Sequence, residues 1–192
     1  YESKTSYSIV ITASDGTNST TQNVTITITN VNEAPAFTSS ASFNAEENQT
    51  TIGSVSVTDP ENATLSYSLS GTDASSLAIS SSGVLSFGSA PNYESKNSYS
   101  ATVTASDGTN STTQDVTISV TDVNDAPVAT AAAYTMDLQP QSQTSGTLTL
   151  AGTDEDGDTL TYSIVSNGSY GTASLSGTTV TYQTAADTQS AQ

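Results

Sequence analysis

Apolar residues occupy every second position in short runs along the chain. Val55 and Val57 form one such run, and Leu65, Tyr67 and Leu69 form another. This period of two is typical of a β-strand that buries one of its faces. The positions between them are mostly Ser or Thr, which suit a solvated sheet face, and no window keeps a helical spacing for more than a turn. The pattern therefore predicts an all-β protein.

Longer runs and turn signals extend this prediction to the rest of the chain. The further runs are Tyr99, Ala101, Val103 and Ala105; Val116, Ile118 and Val120; Leu148 and Leu150; Leu160, Tyr162 and Ile164; and Val180 and Tyr182. Turn-forming pairs separate the runs, as at Asp59-Pro60, Ser82-Gly83 and Asp107-Gly108, where Gly and Pro favour a reversal of the chain. We predict tandem Greek-key β-sandwich domains of about seven strands each, arranged end to end.

One segment of the chain occurs twice in nearly the same form. Residues 1–35 return as residues 93–127, with differences at nine of 35 positions and an offset of 92 residues. Because this offset is one ordinary domain length, it indicates a tandem array. The links that contain Pro35 and Pro127 mark the boundaries. We expect residues 1–33 to be the C-terminal part of one domain, residues 34–125 a complete domain, and residues 126–192 the N-terminal part of a further domain.

The charge balance narrows the classes of function. The chain has 19 acidic and two basic residues, no His and no Cys, and a formal net charge of −17. With so few Lys and Arg residues we expect no nucleic-acid partner. No apolar run approaches the roughly 18 residues of a membrane-spanning helix, so we expect no membrane insertion in this segment. The lack of His excludes a Ser–His pair, and we expect no enzymatic activity. The acidic excess suits hard cations such as Ca²⁺.

The acidic residues gather at strand ends and links. They lie in the motifs Glu47-Asn48, Asp59-Pro60-Glu61, Asn92-Tyr93-Glu94, Asp107-Gly108 and Asp122-Val123-Asn124-Asp125-Ala126-Pro127. In this order the motifs resemble those of the cadherin repeat, as found in cadherin-like domains of large bacterial surface adhesins. The resemblance covers residues 34–125 and the fragment 1–33. Residues 128–192 look instead like the related cadherin-like and Ig-like adhesin repeats, with Asp154-Glu155-Asp156-Gly157-Asp158 as their acidic loop.

The resemblance implies calcium sites at both domain junctions. Its ligands at the upper junction would be Glu2, Asn30, Asn32, Glu33, Asp59, Glu61 and Asp107. Its ligands at the lower junction would be Glu47, Glu94, Asp122, Asn124, Asp125, Asp154 and Asp156. The chemistry of Ca²⁺ independently favours a junction, because about six to eight oxygen ligands can come together there from two domains and their link. The alternative is that these acids only solvate turns and keep the surface soluble.

The implied function is mechanical. The resemblance suggests a calcium-stiffened spacer or stalk of a large extracellular or cell-surface adhesin, secreted by a bacterium, whose main partners are neighbouring repeats of the same chain. A second hypothesis is an adhesive module that binds other copies of itself or cell-surface polysaccharide. A third is a subunit of an extracellular filament, in which the C-terminal fragment of one chain is completed by the N-terminal fragment of another through strand addition.

Overall fold

The computed structural model describes residues 4–135 and 144–185. The chain divides into two compact units, Tyr1–Val123 and Asn124–Gln192. Within the described residues, every regular element is a β-strand except one three-residue 3₁₀ turn, Ala74–Ser76. The all-β prediction is therefore confirmed. No helix among the described residues has the length and hydrophobicity needed to span a membrane.

The first unit opens with a hairpin of two long strands. β1 (Ser6–Ser14) and β2 (Ser19–Thr27) pair antiparallel over their whole length. Asp15 shapes the turn between them, because its Oδ1 accepts backbone hydrogen bonds from Thr17 at 2.8 Å and Asn18 at 2.6 Å. The bonds from Asn18 and Thr17 hold the pKa of Asp15 below its ordinary value, since they stabilise the ionised form.

The rest of the first unit is a β-sandwich of nine strand segments. These are β3 (Ala36–Phe37), β4 (Ser42–Glu46), β5 (Thr51–Ser54), β6 (Val57–Thr58), β7 (Ser66–Ser70), β8 (Leu77–Ile79), β9 (Val84–Phe87), β10 (Ser98–Ser106) and β11 (Ser111–Thr121). The number exceeds the predicted seven because β3 and β6 are two-residue segments that pair with each other.

Two sheets form the faces of this sandwich. One has the strand order β4–β11–β10–β7, and the other has the order β5–β9–β8. β4 lies parallel to β11, whereas the other neighbours are antiparallel. β10 and β11 thus occupy the centre of the larger sheet, where both edges of the β10–β11 hairpin are paired.

Alternate side chains of the central strands fill the core between the two sheets. Ala101, Val103 and Ala105 of β10 are buried. So are Val116, Ile118 and Val120 of β11, which face Leu77, Leu85 and Phe87 of the smaller sheet in one cluster. The period of two in the sequence therefore predicts the inward faces of β10 and β11 correctly, because successive side chains on a strand point to opposite faces.

A polar cluster ties β10 to the 3₁₀ turn. Asp73, which precedes the turn and is only 9% exposed, forms an ion pair with Lys96. Its Oδ2 accepts a hydrogen bond from the backbone N–H of Ser100 at 2.9 Å. The Lys96 ammonium also lies 4.7 Å from the centroid of the Tyr99 ring, within range of a cation–π interaction. The bond from Lys96 and then that from Ser100 hold the pKa of Asp73 below its ordinary value.

The second unit contains two smaller sheets. β12 (Val128–Thr130) pairs with β14 (Ala151–Thr153), while β13 (Ser145–Thr149), β16 (Thr179–Thr184) and β15 (Gly171–Ser176) form a sheet in the order β13–β16–β15. The predicted strands around Leu148 and around Val180 and Tyr182 are confirmed. The strand predicted over 160–164 is wrong, because this segment carries no strand assignment. Alternation favours an extended chain, but a strand also needs a neighbour in register.

Candidate metal centre

A tight acidic turn follows β6. Asp59 Oδ1 accepts hydrogen bonds from the backbone N–H groups of Glu61 and Ala63, each at 3.0 Å. Asn62 takes the left-handed φ of 57° that the turn requires, a conformation that Asn tolerates better than most residues. Asp59 Oδ2 is buried and accepts no hydrogen bond from any described residue. The turn thus satisfies one oxygen of this carboxylate and leaves the other buried.

The link after the first hairpin binds this turn through its main chain. The backbone N–H of Glu33 donates to Glu61 Oε2 at 3.2 Å. The side-chain amide of Asn32 donates to Asp107 Oδ2 at 2.8 Å, and the Asn110 amide donates to the Asn32 carbonyl oxygen at 2.9 Å. The link is therefore held by the Asp59–Ala63 turn on one side and by the β10–β11 turn on the other.

Asp107 anchors the second of these contacts. Its Oδ1 accepts backbone hydrogen bonds from Thr109 and Asn110, both at 2.6 Å, while Oδ2 accepts the Asn32 amide. The Asn32 bond, followed by those from Asn110 and Thr109, holds the pKa of Asp107 below its ordinary value. Asp107 is therefore ionised at neutral pH, in the form that binds cations.

The second unit repeats the same arrangement with its own residues. Asp154 Oδ1 accepts the backbone N–H of Asp158 at 3.1 Å, and Gly157 has a positive φ of 77°. The backbone N–H of Asp125 donates to Asp156 Oδ2 at 2.7 Å. Asp154 thus accepts the N–H four residues ahead, as Asp59 accepts that of Ala63, and the main-chain contact to the link is the same in both units, although the two turns share little sequence.

A further group of acids lies at the other end of the sandwich in the first unit. Glu47 is 2% exposed, and its oxygens accept backbone hydrogen bonds from Tyr93 at 2.7 Å and Val123 at 2.8 Å. A carboxylate oxygen of Glu94 lies within 4.8 Å of one of Glu47 and within 4.8 Å of one of Asp122. At this separation like charges repel, and a cation between them would relieve the repulsion.

The structure brings together most of the residues predicted for the upper junction. Asn32, Glu33, Asp59, Glu61 and Asp107 are joined by the contacts above, Asn30 is exposed on the link, and Glu2 lies outside the described residues. Of the lower set, Glu47, Glu94 and Asp122 are neighbours in the first unit. Asn124, Asp125, Asp154 and Asp156 belong to the second unit, and the combined set stays a prediction.

Sequence reasoning missed Asn110, whose amide holds the link carbonyl. A signal for it was present in the repeat. Asp107-Gly108-Thr109-Asn110 recurs as Asp15-Gly16-Thr17-Asn18, and in both copies the Asp accepts the same two backbone hydrogen bonds.

Two protein families match the chain. The cadherin domain matches residues 40–121, and the bacterial Ig domain matches residues 124–192. The resemblance predicted from the acidic motifs is confirmed. No curated protein matches the chain by sequence.

Solved structures of extracellular cadherin domains share the fold. The protocadherin gammaB7 EC3-6 cis-dimer structure is 24% identical and covers 99% of this chain with a TM-score of 0.59. Protocadherin Gamma B2 extracellular cadherin domains 3-6 are 25% identical and cover 98% with a TM-score of 0.58. Human CDH23 EC21-23 is 20% identical and covers 79% with a TM-score of 0.56. The chain spans 54%, 53% and 58% of these structures, respectively.

Proposed function

We propose that the chain is a calcium-stiffened spacer of an extracellular adhesin, since residues 40–121 match the cadherin domain and residues 124–192 match the bacterial Ig domain. Both domain types are typical of extracellular proteins and together suggest adhesin-like repeats. Cadherin-like adhesion domains are typically non-enzymatic. The role of such a spacer is to hold an adhesive tip at a fixed distance from its anchor.

The buried oxygen of Asp59 is the observation that carries the calcium part of the proposal. A buried carboxylate oxygen without a hydrogen bond costs free energy, because it has lost its water and gained no donor. Asp59 Oδ2 is such an atom among the described residues. Nearby acids supply further oxygens, because the link joins the Asp59 turn to Asp107. This donor set fits Ca²⁺, which prefers carboxylate and carbonyl oxygens.

The residues that would hold the ion are Asp59, Glu61 and Asp107 of the sandwich together with Asn32 and Glu33 of the link. Bound Ca²⁺ would supply the positive charge that offsets the repulsion between the carboxylates of this region. The protein residues already perform the positioning: Asp59 is oriented by two backbone N–H groups, and Asp107 by two more. Glu2 and Asn30 of the predicted set belong to the same proposal.

We extend the proposal to the lower set, Glu47, Glu94, Asp122, Asn124, Asp125, Asp154 and Asp156. Its support is the close approach of Glu94 to both Glu47 and Asp122 in the first unit. In the second unit, its support is the Asp154–Asp158 turn, in which Asp154 Oδ1 accepts the backbone N–H four residues ahead, as Asp59 Oδ1 accepts that of Ala63.

The expected effect of calcium is larger on stiffness than on domain stability. Extracellular calcium modules bind with dissociation constants of about 10⁻⁴ to 10⁻³ M. At a free calcium concentration ten times the dissociation constant, one site adds only about 1.4 kcal/mol to the stability of the folded state. An ion shared by a link and a domain, in contrast, removes the freedom of the link to rotate.

Calorimetric titration of the chain with CaCl₂ tests the site. We expect saturable binding of calcium. After Asp59→Asn, we expect at least about tenfold weaker binding at the site that contains Asp59. The matched control is Asp115→Asn, which removes one charge from an exposed position on β11. Equal affinity of Asp59→Asn and Asp115→Asn would contradict the site. Small-angle scattering with calcium and then with chelator tests the spacer, because an unchanged maximum dimension would contradict stiffening.

Self-association is the second candidate function. One of the similar structures, of protocadherin gammaB7, is a cis-dimer, and cadherin-like relatives interact homophilically. Sedimentation velocity over a range of calcium concentrations separates this function from a passive spacer, which would remain monomeric throughout.

A further inference from the structure

The hairpin of β1 and β2 presents an apolar face to solvent. Tyr7, Ile9, Ile11 and Ile26 are 46%, 45%, 51% and 49% exposed. They lie on one face of the hairpin, because they alternate along the strands and Tyr7 is opposite Ile26. A two-stranded sheet with an uncovered apolar face is marginally stable by itself in water, so a covering partner is expected.

The second copy of the repeat shows what covers such a hairpin. β10 and β11 have the same register as β1 and β2, with Tyr99 opposite Ile118 where Tyr7 is opposite Ile26. Ile118 is 0% exposed, since strands of residues 36–87 pack against it. We call residues 36–87, which contain β3 to β9, the half-sandwich.

The edges of the hairpin match the edges of the half-sandwich. In the complete domain, Thr102–Ser106 of β10 pair antiparallel with Ser66–Ser70 of β7, and Thr117–Thr121 of β11 pair parallel with Ser42–Glu46 of β4. The equivalent edges of the hairpin are residues 10–14 and 25–29. Within the described residues, β1 and β2 pair with each other alone. Both edges therefore offer backbone groups for additional strands.

Charge complementarity also indicates a half-sandwich as the partner of the first hairpin. Lys4 lies 4.1 Å from the centroid of the Tyr7 ring, as Lys96 lies 4.7 Å from that of Tyr99. In the complete domain the half-sandwich contributes Asp73, which pairs with Lys96. A second half-sandwich would place the same carboxylate against Lys4.

Three inward positions distinguish the two hairpins. Ile9 and Ile11 stand where β10 has Ala101 and Val103, and Ile28 stands where β11 has Val120. Ala101, Val103 and Val120 are buried. The first hairpin therefore carries larger side chains at the positions that contact the half-sandwich. Extra methyl groups in a packed core force neighbouring side chains to move and reduce stability.

We propose that the first hairpin is a docking surface for the half-sandwich of another repeat of this type, one with more room than residues 36–87 opposite Ile9, Ile11 and Ile28. The size difference makes each hairpin specific for its own half-sandwich. Near-identical hairpins in one chain would otherwise compete for the same partner, which is the hazard of strand exchange between repeats.

The test joins a second copy of residues 34–92 ahead of Tyr1 of the full chain, so that Asn92 is followed by Tyr1 as it is naturally followed by Tyr93. Two versions are compared by hydrogen exchange, one with the natural hairpin and one with Ile9→Ala, Ile11→Val and Ile28→Val. In the substituted version we expect the amides of residues 10–14 to exchange at least about tenfold more slowly than in the chain without the extension. The natural hairpin should gain less protection. A matched control carries Leu85→Asp in the added copy only and should give no protection.

Two results would overturn the proposal, and a third would refute its specificity. Absence of protection in the substituted version, while residues 102–106 remain protected, would show that the hairpin does not dock on a half-sandwich. Protection of residues 10–14 in the unextended chain that grows with protein concentration would assign the face to a second copy of the hairpin. Equal protection of the natural and substituted hairpins would refute the specificity of the three larger side chains.

Discussion

The substitutions Ile118→Ala and Ile26→Ala form a pair that separates burial from local sequence. The two isoleucines occupy equivalent positions of the repeat, but Ile118 is 0% exposed and Ile26 is 49% exposed. Removal of three carbons from a filled core costs about 2–5 kcal/mol, because a cavity remains. A loss of about 3 kcal/mol lowers the melting temperature of a domain of this size by about 12–24 °C. Ile26→Ala leaves no cavity in the sandwich and should cost it less than about 1 kcal/mol.

Thermal unfolding followed by circular dichroism provides the measurement, with calcium at one fixed concentration for both variants. We expect the main transition of Ile118→Ala to fall by more than about 10 °C and that of Ile26→Ala to stay within about 4 °C of the parent chain. Equal shifts for the two variants would refute the reasoning, because they would mean that the hairpin face is as fully packed as the core.

Two further predictions concern the link and a turn. The folded-state pKa of Asp107 lies below its ordinary value. The contact of Asp107 with Asn32 therefore contributes fully to stability above about pH 4 and is lost as the pH falls through the folded-state pKa. An NMR titration in which the Asn32 side-chain amide shifts with a midpoint above pH 4 would contradict this. Gly83→Ala should destabilise the domain by about 1–3 kcal/mol, because φ is 80° and the new Cβ would lie 2.8 Å from the Val55 carbonyl oxygen. Gly108→Ala, with a φ of 95° and open space, is the control in urea unfolding, and equal losses would show that the close contact costs nothing.

The strands were predictable where the local pattern and its environment agree. Ala101, Val103 and Ile118 alternate in the sequence and are buried in the fold. The same alternation occurs at Ile9 and Ile11, which are exposed, because burial depends on a second sheet that the pattern does not encode. The run at residues 160–164 fails for a related reason, since extended residues become a strand only where a neighbour is in register.

The site was predictable in its residue types and partly in its grouping. The motif resemblance selected Asp59, Glu61 and Asp107; the link bonds to Glu61 and Asp107, and Asp59 lies in the same turn as Glu61. The contacts made by Asn110 and Asp73 were not predictable, because they connect residues 78 and 27 positions apart. Such pairs depend on strand register, which no local pattern specifies without a known fold.

The contact between each link and its acidic turn uses a peptide N–H as the donor. Glu33 donates to Glu61 in the first unit, and Asp125 donates to Asp156 in the second, so the side chains on both sides have changed length while the bond persists. Every amino acid except proline carries this donor. The side chains of the link can therefore change in evolution without loss of the hydrogen bond. Modules of different ancestry can thus be recombined behind the same entry segment, and a proline at position 33 or 125 is the change that such recombination cannot tolerate.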